Sequence, residues 1–201
     1  MASNHLRKFR ITLWACVLIA FTGLGYLVIQ MPFPLGSTKS SSVGGPFDMV
    51  DQNGQPVSEK TYLGRPMALF FGFTYCPDIC PTTLARLSAL LGKLPPDTAN
   101  KIQVILVSVD PERDTPEALK AYLSAFDERF IGLTGTAKQL SQFAKSYRAF
   151  YEKVSDATGG YTMNHSAGVY LFDASGNFFG ILSSDTDDAA AVSKLSELVE
   201  Q

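Results

Sequence analysis

"MALFFGFTYCPDICPTTL", Met67 to Leu84, changes character at a pair of cysteines. Its first seven residues are one apolar run of strand length, the pattern of a strand buried on both faces of a sheet. Past Pro81, Leu84, Leu87, Leu90 and Leu91 recur at helical spacing. Proline suits the first helical turn, where its missing N–H goes unused. The spacing therefore predicts a helix from Pro81. Cys76 and Cys80 fall in the loop between strand and helix, at the edge of an α/β sheet where ligands bind.

The same alternation continues along the chain. "IQVILVSVD" (Ile102–Asp110) reads as the next buried strand. "DTPEALKAYLSAF" reads as a helix with Asp114 or Thr115 as its cap and Pro116 in its first turn. "FIGLTG" is strand-like, and "TAKQLSQFAKSYRAF" is an amphipathic helix. "HSAGVYLFD" and "NFFGILS" form a hairpin around Ala174-Ser175-Gly176, and "DDAAAVSKLSELVE" closes the chain as a helix. Upstream, "FDMVDQNGQPVS" carries Asn53-Gly54 between extended pieces, a hairpin signal. Together these elements describe an α/β sheet covered by helices on both faces.

The chain has 201 residues, 46% hydrophobic and 18% charged, which fits one domain with an appendage. The appendage comes first. "ITLWACVLIAFTGLGYLVIQM" (11–31) holds no charged residue, and at helical rise it spans roughly 30 Å, the thickness of a bilayer core. Arg7, Lys8 and Arg10 flank it on one side. Positive flanks stay in the cytoplasm. Residues 1–10 are thus expected inside, 11–31 across the inner membrane as a single uncleaved signal anchor, and the rest on the periplasmic side. A cleaved signal peptide would have a shorter apolar core ending in a small-residue site, and here "GLG" lies mid-run. Residues 32–45, rich in Pro, Gly and Ser, read as a tether, leaving 46–201 as the domain. Of the 17 basic and 19 acidic residues, the first 45 positions hold four basic and no acidic ones, so the domain carries an excess of six acidic groups. That argues against a nucleic-acid partner, which needs a basic surface.

Only three cysteines are present, and Cys16 lies inside the apolar run. A four-cysteine zinc site is therefore excluded. With Pro77 stiffening the loop, Cys76 and Cys80 can converge on one point, either as a disulfide or as two ligands of one soft ion. A purely structural disulfide is weakly supported, because so short a loop yields little entropic stabilisation. The positive end of the helix is expected to favour the thiolate at Cys80. His165, the domain's one histidine, stands just ahead of a strand, where it can reach the same edge. Two thiolates and an imidazole make a three-coordinate soft site suited to Cu(I), and to Cu(II) given a further weak ligand. Asp110, at the end of the second buried strand, is a candidate for a supporting or weak axial role, or for turn chemistry before Pro111. Tyr75 is a candidate lining residue.

"TYCPDICPTTL", "SVDPERDTP" and the histidine of "NHSAGVYLFD" resemble, in order, the three signatures of the SCO/SenC family, the assembly factors for cytochrome c oxidase. The likeness covers nearly the whole domain, and an N-terminal membrane anchor agrees with it. It implies a thioredoxin-like fold, a central mixed sheet flanked by helices. It implies one copper ion, as Cu(I) or Cu(II), held by Cys76, Cys80 and His165. It further implies a metallochaperone that helps to build the CuA centre of cytochrome c oxidase subunit II, or that serves another copper-accepting protein. Asp110 matches the aspartate of the family's D-P-x-R-D motif. Ala167 and Gly168 depart from it, being small where bulkier strand residues are expected.

Two other functions compete. A thiol–disulfide oxidoreductase would reduce the cysteines of the copper-accepting subunit, and a redox sensor would use the same pair. Thioredoxin-like reductases, by resemblance, use a two-residue spacing and a cis-proline before the third strand, where this chain has Met163-Asn164-His165. A peroxidase is disfavoured: "FTYCP" is similar to peroxidatic loops, but the supporting upstream proline and threonine are missing.

Overall fold

The computed structural model describes residues 43–155 and 159–201 and, ahead of them, only Trp14 and Gly23. The chain divides into two units, Met1–Ser41 and Ser42–Gln201, and the account below concerns the second. Apart from Trp14 and Gly23, the 11–31 segment read as an anchor lies outside the described residues, as do residues 1–10 and most of the tether. Among the described residues no helix is long and apolar enough to cross a membrane.

Among the described residues nine strands run β1 (Asp48–Asp51), β2 (Pro56–Ser58), β3 (Met67–Gly72), β4 (Gln103–Ser108), β5 (Phe130–Thr134), β6 (Tyr151–Ser155), β7 (Tyr161–His165), β8 (Val169–Phe172) and β9 (Phe178–Leu182). Seven form one mixed sheet in the order β2-β1-β5-β4-β3-β8-β9, while β6 and β7 pair only with each other. The central strands β3 and β4 are buried at every residue and run parallel, with β5 parallel beyond β4 and β8 antiparallel to β3. Their mainly apolar sequences follow from that position, since each is covered on both faces, with polar Gln103 and Ser108 only at the ends of β4.

The helices are α1 (Glu59–Tyr62), α2 (Ile79–Lys93), α3 (Pro96–Ala99), α4 (Pro116–Leu123), α5 (Ala137–Tyr147) and α6 (Asp188–Glu200). The parallel links β3-α2-β4 and β4-α4-β5 are successive crossovers of one hand, which puts α2 and α4 on the same face. That face carries Phe70, Leu106 and Gly132, neighbours across the sheet. Gly132 leaves room for Leu119 and Leu123 of α4. Helix α6 packs beside α2, joined to it by Arg86 and Lys93 on Asp188. On the opposite face Phe143 of α5 meets Phe71 edge-on, with ring centroids 5.7 Å apart, and Phe47 at 4.5 Å.

The upstream hairpin closes through Gly54 at φ 76, where the side chain of Asp51 accepts from the N–H groups of Asn53 and Gln55. Of the two cap candidates for α4, Thr115 fills the role, accepting from the N–H of Ala118 at 3.2 Å. Asp114 is instead fully buried. It accepts from the N–H and hydroxyl of Thr74 and the hydroxyl of Ser108, tying the start of the cysteine loop to the end of β4. Burial raises its pKa against the opposing pull of those donors. Of the two small residues before β8, Gly168 gains a reason: a Cβ there would lie 2.6 Å from Ile181, the β9 side chain that occupies the space.

Candidate metal centre

Phe73 ends the apolar run, and a turn closed by Cys76 N–H to the carbonyl of Phe73 lifts the loop off the sheet. Helix α2 begins at Ile79, two residues before the predicted start, so Cys80 sits in its first turn and Pro81 follows it there. That corrects the expectation of a helix-favoured thiolate at Cys80. The backbone N–H of Cys80 points at the sulfur of Cys76, 3.3 Å away, so the helix end serves Cys76. The side chain of Cys80 turns inward and is wholly buried, and burial pushes its thiol far above the usual range. Glycine at position 72 makes this possible, since a Cβ there would lie 2.9 Å from the Cys80 sulfur.

His165 ends β7 rather than preceding β8 directly. Its ring stands edge-on to Phe70 and Phe73, with centroids 5.8 and 5.9 Å away. Its Nδ1 lies 3.1 Å from the carbonyl of Ser166. A carbonyl only accepts, so Nδ1 holds the proton and the lone pair of Nε2 is directed at the Cys80 sulfur, 3.5 Å distant. Burial lowers the pKa of the imidazole, which favours the neutral, ligating form. Ligand atoms of Cys76, Cys80 and His165 all lie within 4.8 Å of one another, and both cysteines are free thiols. Two soft sulfurs and one imidazole nitrogen fit a soft ion such as Cu(I). Cys76 and His165 open on a cleft of about 510 Å³ that Ile79, Phe150 and Met163 also line.

Asp110 is not one of the three clustered ligands. Its carboxylate, 2% exposed, takes the Nε of Arg113 and the hydroxyl of Tyr161 at 2.9 Å. Arg113 also donates from Nη1 to the carbonyl of Tyr161 at 3.2 Å. Its guanidinium carbon lies 3.8 Å from the Tyr161 ring centre and 4.7 Å from that of Tyr75. Tyr75 is therefore exposed on one side and covered by Arg113 on the other, and it is absent from the cleft wall. Sequence reading left Arg113, Tyr161 and the β6–β7 hairpin out of the site. The usable signal was alternation in "YTMNH" after Gly159-Gly160.

A family model described as SCO1/SenC matches residues 36–200. The mitochondrial protein SCO2 of Saccharomyces cerevisiae is 39% identical over 163 residues, covering 80% of this chain and 54% of the yeast one. The chain spans 65%, 54% and 42% of the length of three curated relatives that it matches. The solved structure of Bradyrhizobium japonicum ScoI with copper bound superposes with a TM-score of 0.73 at 41% identity, over 79% of this chain and all of the other. BsSco, described as a Sco-family cytochrome c oxidase assembly protein with a disulfide switch, superposes at 0.61 and 27% identity, over 78% and 92% of the two chains.

Proposed function

The chain belongs to the SCO1/SenC family, and from that membership and its thiol–imidazole cluster we propose that it is a membrane-anchored copper metallochaperone. In this reading the thioredoxin-like domain holds one copper through Cys76, Cys80 and His165 and delivers it to the CuA centre of cytochrome c oxidase subunit II. One observation carries it: Nε2 of His165 is oriented towards a pair of thiols whose ligand atoms all fall within 4.8 Å. Copper-bound relatives and an assembly-factor relative support the metal and the pathway. The reduced full-length chain should retain one copper per chain after desalting, measured by elemental analysis. A chain that retains none, or that takes up zinc in preference, sinks the proposal.

The anchor reading rests on the uncharged run 11–31 and its one-sided basic flank. A reporter that works only outside the cytoplasm should be active when fused after Gln201. Activity from a reporter that works only inside would overturn it.

Thiol–disulfide exchange is the second reading. It is favoured by the half-exposed Cys76, whose sulfur accepts a helix-end N–H. Exchange needs an accessible attacking sulfur, and Cys76 opens on the cleft.

A further inference from the structure

The two cysteines belong to the body of the fold, Cys76 in the loop after β3 and Cys80 in the first turn of α2. The third ligand belongs to the β6–β7 hairpin, which among the described residues shares no strand pairing with the main sheet. The polar links from Tyr161 and Lys153 of that hairpin to the body all end in one turn, Asp110 to Arg113. Arg113 is the residue of that turn that meets both the hairpin and the cysteine loop. Its forked head donates to Asp110 and to the Tyr161 carbonyl and lies against the Tyr161 ring. It also covers the ring of Tyr75, the neighbour of Cys76. Tyr161 and His165 lie on the same side of β7, four residues apart.

We propose that Arg113 is a positioning residue that pins the His165-bearing hairpin to the cysteine loop and thereby sets the reach of His165 to the two sulfurs. A planar fork with several fixed donors suits this task, and an ammonium does not. The proposal rests on the copper reading for its consequence in affinity, and on geometry alone for its consequence in the apo chain.

The test uses the full-length reduced chain, with Arg113→Met, Arg113→Lys and Tyr161→Leu each made alone and combined with His165→Ala. Hydrogen exchange of the copper-free protein should speed up at the amides of 161–165 and stay unchanged in β3, β4 and α2. Chelator competition should show Cu(I) affinity lowered by roughly 10–100-fold, the usual cost of losing a group that orients a ligand. Arg113→Lys should fall close to Arg113→Met, since the fork and not the charge is what holds the hairpin. In the His165→Ala background none of the three should lower affinity further. Wild-type affinity and exchange in Arg113→Lys would assign the effect to charge and overturn the pin. An equal loss with and without His165 would overturn it as well, by placing the effect on the cysteines. Should wild type bind no copper, the chaperone reading fails while the exchange data still decide the pin.

Discussion

Replacing Cys80 with serine should abolish tight copper retention and also weaken the fold, whereas Cys76→Ser should abolish retention alone. Each change removes one of the three proposed ligands, so the loss of Cu(I) affinity should exceed the roughly 10–100-fold that an orienting group costs. The difference in stability follows from placement. Cys80 is wholly buried beside Gly72; its sulfur is already 3.5 Å from Nε2 of His165, a shorter hydroxyl reaches that acceptor poorly, and burying it badly paired costs about 1–3 kcal/mol. Cys76 is only partly buried and faces the cleft. Chelator competition and urea unfolding of the two variants measure the two effects. A Cys80→Ser chain that keeps one tightly held copper would refute the site. Burial also holds the Cys80 thiol protonated, so copper must expel a proton in order to bind. A reaction that releases protons is favoured as pH rises, and the affinity should climb from neutral into alkaline pH.

His165→Ala should separate the two chemistries that share these thiols. Exchange needs a thiolate, a leaving thiol and access, none of which the imidazole supplies. The variant should therefore form and reduce its disulfide as wild type does. It should hold copper poorly, because the neutral Nε2 aimed into the cluster is gone. If copper handling is the main task, a strain carrying His165→Ala should lose oxidase activity and regain part of it with added copper. Cys76→Ser is the comparison, with both proteins shown to be folded and present. Normal oxidase activity with His165→Ala beside loss with Cys76→Ser would transfer the function to the reductase reading.

The central sheet and its covering helices were legible in the sequence because β3 and β4 are buried on both faces and advertise it as apolar runs, 67–72 and 104–107. Cys76, Cys80 and His165 were legible as soft donors near one sheet edge. What the sequence hid was the manner of their approach. Pro81 looks like a helix start, yet the chain turns helical two residues sooner, and that shift moves Cys80 from the loop into the interior. The β6–β7 hairpin hid because its strands are exposed or partly exposed at every residue but Met163. Asp114 misled as a cap candidate because its buried hydrogen bonds reach Thr74, forty positions away. Arg113 reads as one more charge until Tyr75 and Tyr161 are brought to either side of it.

The unequal exposure of the two sulfurs also bears on how a metal would be handed on. Copper held at the proposed site has Cys80 behind it, sealed from solvent, and Cys76 and His165 on the open side. A donor atom of a receiving protein that enters the cleft can replace Cys76 or His165 while Cys80 still holds on. Ligands would then be exchanged one at a time, with the sealed sulfur the last to let go, and the ion would pass across without becoming free in water. A bulky chelator that cannot enter the cleft would strip it slowly however strong its own grip, so the speed of removal would depend on a competitor's shape as well as on its affinity.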